Sequence, residues 1–258
     1  MAHEKIEAKA ANRLKKRYHS QTPDARQPLQ LTPLRTVKAM QTGNQVMNEV
    51  LVHDISPWST YNRLFSFHLG DNDPVIVAEG KGISFDLFSI QHFKIIGDHQ
   101  INMLKNIQHP NFVTVNEIYQ TQDGCYVVCD HMARSLQEAI GNPHLDGPRL
   151  AAIIGQVVQA LVYLEQKGLR LERLTCSHIL LHPSGKVKLC GQEGSIVSND
   201  QRNIRDLGYV MVELMEGYME EGANIGLNDP DRWGADVVDF LSITTSASSA
   251  DELLQVCP

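Results

Sequence analysis

The sequence carries no C-x-x-C pair and only five cysteines in 258 residues: Cys125, Cys129, Cys176, Cys190 and Cys257. An odd count without that pairing excludes a disulfide framework and a cysteine-based zinc centre. It predicts reduced thiols and an intracellular setting, cytoplasmic or nuclear. No run of roughly 20 apolar residues stands out as a bilayer span. The opening stretch, Met1 to Ser20, lacks the apolar segment a secretory leader needs. No internal repeat, no H-E-x-x-H and no G-x-S-x-G occurs, so neither a zincin nor a hydrolase elbow is indicated. The eleven histidines are scattered, and no metal constellation is expected.

What is present is ordinary globular composition, 42% hydrophobic and 21% charged, with a net charge of −7. The charge is uneven. Residues 1–45 hold nine Lys/Arg against three Asp/Glu, a balance of +6; the remainder holds 14 against 27, a balance of −13. The acidic body argues against nucleic-acid binding by the globular part. Residues 1–47 read as a basic tail, with a short basic helix over Glu4–Tyr18 followed by a polar, proline-containing stretch too poor in apolar residues to fold by itself. Within it, Arg13-Leu14-Lys15-Lys16-Arg17 reads as a solvated basic face.

From residue 48 the pattern predicts strands over 64–69, 75–78 and 85–93, joined by hairpins. A short helix over His99–Ile107 comes next, then strands Val113–Tyr119 and Cys125–Asp130. Leu150, Ile153, Ile154, Val157, Val158, Leu161 and Leu164 recur at helical spacing, with Gly168 past the end. A hairpin of Ile179–Leu181 and Val187–Leu189 follows. A second strong helix is expected over Ile204–Met219, and weaker ones near Ala235–Leu241 and Ala250–Val256. Five strands with one inserted helix, then a mainly helical half, define an α+β protein with two lobes, about 48–132 and 133–258.

Four strings in this order resemble the protein-kinase family. They are His109-Pro110-Asn111-Phe112-Val113, Tyr126 to Met132 at the hinge, Ile179-Leu180-Leu181 through Gly185-Lys186-Val187-Lys188-Leu189, and Asn203-Ile204-Arg205-Asp206-Leu207-Gly208. The resemblance covers roughly residues 59–258 and implies a two-lobed protein-kinase-like fold with a five-stranded N-lobe sheet. It also implies a shortened C-lobe, because few residues separate Gly191 from Asn203 and the stretch after Glu220 is brief.

Phosphoryl transfer in that family needs a glycine-rich loop, a strand lysine paired to a helix glutamate, a catalytic aspartate, and an Asn and Asp that hold Mg²⁺. Here the loop Gly70-Asp71-Asn72-Asp73-Pro74 has one glycine and two carboxylates, and reads as a solvated hairpin turn. Gln91 stands where the lysine would be, and Gln100 where the glutamate would be, so the ion pair becomes a Gln–Gln pair. Lys94, three residues on, faces the other side of its strand. In Leu171-Glu172-Arg173-Leu174-Thr175-Cys176-Ser177-His178, Arg173 replaces the catalytic Asp and His178 the metal-binding Asn. An arginine cannot accept a proton at neutral pH. Gly191 replaces the principal Mg²⁺ ligand, and Glu193 reads as a surface charge. Cys176 beside His178 is not read as a nucleophile pair, since neighbours on a loop do not aim at one another.

The expected reading is therefore a pseudokinase acting as a scaffold, with no catalytic residue, no metal and no required cofactor. The alternative is a nucleotide-binding regulatory domain that takes ATP without Mg²⁺. Its contacts would come from Gly70, Val77, Ser89, Asp130, Met132 and Leu180. An unconventional Ser/Thr kinase is the remaining alternative. Protein partners are expected, their identity open, and apolar surface left by missing C-lobe helices would favour a homodimer.

Overall fold

The computed structural model describes residues 49–82, 86–198, 200–218 and 225–256. The tail over 1–47 and its basic run therefore lie outside the described residues, as does Phe85.

Among the described residues, eleven strands and five α-helices follow in chain order. The strands of the first half are β1 Leu51–His53, β2 Tyr61–Phe67, β3 Val75–Gly80 and β4 Leu87–Phe93, then, after helix α1 (Asp98–Asn106), β5 Val115–Thr121 and β6 Gly124–Asp130. β7 is Arg134–Ser135, and helix α2 is Gly147–Gln166. The short strands β8 Leu169–Arg170, β9 Ile179–Leu181, β10 Val187–Leu189 and β11 Ile196–Val197 precede α3 Arg202–Glu216, α4 Ala235–Ile243 and α5 Ala250–Gln255.

The N-lobe sheet has six strands, in the order β1-β5-β6-β4-β3-β2. The sixth corrects the expected five. Leu51, Val52 and His53 pair in parallel with Glu117, Ile118 and Tyr119. A three-residue run carries too little periodicity to be read as a strand, and this one is held by long-range contacts. The His53 ring stacks on Tyr119 at 4.7 Å. Nearby, Glu117 accepts hydrogen bonds from Tyr61 (2.9 Å) and Tyr119 (2.7 Å). Burial, then the bond to Glu117, pushes the Tyr119 hydroxyl up to about 12. Val77 on β3, Ile90 on β4 and Val127 and Val128 on β6 are fully buried, and the adjacent Val127 and Val128 face opposite sides of the sheet, each side packed against its own apolar cluster.

In the C-lobe, α2 starts at Asp146, whose carboxylate accepts from the Arg149 N–H at 3.0 Å, with a proline in the first turn. By length and mean hydropathy this 20-residue helix could cross a membrane. Its apolar side, however, forms the C-lobe core: Leu150, Ile154, Val157, Leu161 and Leu164 pack with Leu207, Met211, Phe240 and Leu253 from the later helices. The α3 helix ends at Glu216, three residues before the expected end, because Gly217 adopts φ +83° and caps it. Cys125, Cys129, Cys176 and Cys190 are free.

Candidate functional site: the cleft between the lobes

The two lobes meet over a narrow cleft. Its roof is Leu69, Asn72 and Val75 from β2–β3, its back Ser89, Gln91 and Cys129, and its hinge side Asp130 and Met132. Leu180 and Cys190 form the floor. Of the sequence candidates, Ser89, Asp130, Met132 and Leu180 line this cleft. Gly70 and Val77 do not; Leu69 and Val75 stand there instead. The cleft volume is about 30 Å³. A water needs roughly 10–15 Å³, and small-molecule pockets run to roughly 300–1,000 Å³.

The roof explains the small volume. The Gly70–Asn72 turn is not the solvated hairpin its composition suggests; it is tied to the C-lobe. The Asp71 N–H donates to Gln137 Oε1 (3.0 Å) and Ser177 Oγ (3.1 Å). The Asn72 side-chain amide donates to the Ser177 carbonyl at 2.6 Å and lies 3.9 Å from Cys190 Sγ. Asn72, Gln137 and Ser177 were missed in sequence, since nothing in a local pattern marks partners 66 or 105 residues apart.

The floor is ordered from below. Asn203 on α3 accepts from the Leu171 N–H at 2.8 Å and donates to the Leu171 carbonyl at 3.1 Å. Asp206, one turn on, accepts from the Leu174 N–H at 3.2 Å. Burial raises the Asp206 carboxyl above the usual range. The loop over 171–178 is thus fixed by two side chains of the following helix.

The side chains this loop presents carry different chemistry from the family pattern. Arg173 is exposed, and Glu172 beside it is exposed too. The His178 ring bonds through Nδ1 to Thr175 Oγ1 at 2.8 Å. Burial first, then the Arg173 charge, lowers its affinity for a proton. Gly191 has φ +84°, and a Cβ there would come 3.1 Å from His178 Cδ2. The imidazole therefore occupies the space beside Gly191 that a longer side chain would need.

Two expectations about the roof and back need correction. The Gln91–Gln100 pair is not formed: Gln100 Oε1 accepts from the Gly97 N–H at 2.9 Å and caps its own helix. Gln91 lines the cleft alone. Glu193 is not a surface charge. It is half-buried, and burial raises its carboxyl above the usual carboxylate range. It sits close enough to Cys129 and Cys190 to disfavour their thiolates. Burial, more than Glu193, pushes Cys190 up to about 12. Lys94 is exposed. Cys176 is buried with its sulfur toward the Val210 carbonyl, away from His178. Among the described residues, no group of three His, Cys, Asp or Glu side chains could hold a metal ion.

A wider cavity of about 370 Å³ lies outside the hinge, between Phe88, His131, Met132, His182 and Lys186. Its buried charges are already matched. Lys188 reaches Thr114 Oγ1 (2.7 Å) and Asp130 Oδ2 (3.4 Å), and His131 bonds Ser89 at 3.1 Å.

The element order, the hinge, the β9–β10 hairpin and the helix-held loop define a protein-kinase-like fold. Comparison with known proteins agrees. The chain is 26% identical over 157 residues to serine/threonine-protein kinase max-2 of Caenorhabditis elegans (57% of this chain, 24% of that one). It is 31% identical over 109 residues to STE20-related kinase adapter protein alpha of Mus musculus (40% and 25%). It is 30% identical over 138 residues to cyclin-dependent kinase 11B of Homo sapiens (50% and 17%). Each match thus spans a quarter or less of the relative's own length. No protein-family model matches the chain. By its fold and by these likenesses the chain is protein-kinase-like.

Proposed function

We propose that this domain is a pseudokinase that works as an adapter, presenting a kinase-like surface to protein partners without transferring phosphate. The observation that carries this reading is the cleft, reduced to about 30 Å³ by its own roof. The chemistry around it points the same way. Arg173 cannot take a proton from a hydroxyl, Gly191 offers no carboxylate, and Gln91 has no charge to set against a phosphate. One of the relatives above is itself named an adapter, which supports the class of role. On this reading ATP is not a cofactor, with or without Mg²⁺.

Protein partners are favoured over nucleic acid by the −13 balance of the body. Large apolar side chains stand in solvent at Leu51, Ile55, Ile95 and Val197, the third 92% exposed. A partner or a second copy of the chain would cover them. Free thiols fit an intracellular setting, cytoplasmic or nuclear.

A thermal-shift titration with ATP, with and without Mg²⁺, tests the reading, since a ligand of the folded state must raise Tm. No shift at millimolar ATP is expected. A shift independent of Mg²⁺ would replace this reading with a nucleotide-sensing domain. A Mg²⁺-dependent shift, or label transferred from ATP to a protein, would restore a kinase. Sedimentation velocity reports the oligomer, and a monodisperse monomer removes the homodimer.

A further inference from the structure

We infer that the turn between β2 and β3 is a built-in strap that holds the two lobes closed with no ligand between them. It deepens the reading above by naming what shuts the cleft, but it does not depend on the domain's being inactive.

The strap is reciprocal. The Asp71 N–H donates across the cleft to Gln137 Oε1 and Ser177 Oγ, and Gln137 Nε2 donates back to Asp71 Oδ2 at 3.0 Å. Ser177 Oγ also donates to Gln137, so the two C-lobe receivers are locked to each other. Asn72 uses one amide group twice, to Leu69 O within its own turn (2.8 Å) and to Ser177 O across the gap (2.6 Å). A single neutral hydrogen bond contributes little net, because water would replace it. A set of bonds sharing partners behaves otherwise, since losing one member strands the rest.

Sequence and sterics agree on the role of Gly70. Its φ is +63°, and a Cβ there would stand 2.5 Å from Gln137 Oε1 and 2.6 Å from Ser177 Oγ. Only glycine combines that backbone angle with so close an approach. Buried Leu69 and Val75 seat the two ends of the turn in the roof. The Asn72 amide then lies at the cleft wall beside the Cys190 sulfur. The closed state thus needs no bridging molecule, because the chain supplies its own bridge.

Hydrogen exchange followed by NMR on the full chain tests this, with N-ethylmaleimide labelling of Cys190 as a second readout. In the wild type the Asp71 amide should exchange at least about ten-fold more slowly than that of Asp73. Gln137→Ala removes a donor and an acceptor, and Gly70→Ala forces the turn off its receivers. Each should speed Asp71 exchange and Cys190 labelling about ten-fold, while Val127 and Leu161 stay protected. If one variant loses protection at Val127 it has unfolded, and the other variant with the wild-type rate decides. A wild-type Asp71 amide as fast as Asp73, or folded variants that change neither readout, overturns the strap. ATP binding by the wild type would overturn the adapter reading and leave the strap standing. A fast Asp71 amide does the reverse.

Discussion

The loop over 171–178 and the side chains it carries belong to the same stretch of chain, yet they answer to different physical constraints. Its backbone is held from below by Asn203 and Asp206, with Leu171, Leu174 and Cys176 buried beneath. Its cleft-side chemistry is that of Arg173 and of His178, whose ring stands beside Gly191. The difference has a physical basis. A buried peptide group without a partner destabilises any version of the fold, active or not. A proton acceptor or a metal ligand on the cleft side is required only by the reaction. Stability therefore maintains the first set whatever the protein does, and nothing but catalysis maintains the second.

This contrast can be broken at several places, in descending order of effect. Leu207, fully buried in the C-lobe core, should lose about 3 kcal/mol as Leu207→Ala, a Tm fall of about 10 °C by calorimetry. Asn203→Leu strands the buried N–H of Leu171, leaves its carbonyl only the Arg170 donor, and should cost about 2 kcal/mol in denaturant unfolding. A loss below about 0.5 kcal/mol would show that the floor is not held from α3.

Gly191→Asp, which restores a carboxylate at the position where the family holds its metal, should instead destabilise by about 1–2 kcal/mol. The backbone is left-handed there and His178 is in the way. Mg²⁺ should not recover the loss. Stabilisation of that variant by Mg²⁺ would mean that the site chemistry is one substitution from return.

Glu193→Gln sharpens the comparison through pH. Burial raises the Glu193 carboxyl, so the folded state favours its protonated form. That contribution is complete below the ordinary carboxylate range, about 4.3, and is lost as pH rises through the raised value. The variant should match the wild type near pH 4 and exceed it in Tm by about 2 °C at pH 7.5. Equal values at both pH settings would mean the carboxyl is solvated after all. The smallest effect is expected at the exposed Arg134–Glu138 pair: Arg134→Ala should change stability by less than about 0.5 kcal/mol.

Much of the architecture was legible in order and type. The hairpin β9–β10 appears at the residues read for it, because Pro183-Ser184-Gly185 marks its turn and both flanks are apolar. The two strong helices follow from helical spacing over many residues, and the caps at Asp146 and Gly217 set one end of each three positions from where the spacing put it. The strand β1 was not legible, since a three-residue strand is made by its neighbours and not by its own pattern.

At the site, local identity was readable and orientation was not. That Arg173, His178 and Gly191 differ from the family pattern is a matter of letters. That Gln100 turns back to cap its helix and leaves Gln91 alone is a matter of geometry. Glu193 looked like a surface charge because acidic residues usually are, and only its placement near Cys129 and Cys190 half-buries it.

By itself the sequence determined which residue types stand at the cleft and loop positions and which segments are helix or strand. Residue type sets proton affinity and charge, and apolar period sets secondary structure. Tertiary structure alone decided that the cleft is shut. A strap from Gly70–Asn72 to Gln137 and Ser177 joins residues 66 and 105 positions apart. Contacts at that separation leave no periodic trace along the chain; they exist only once both lobes have folded and met.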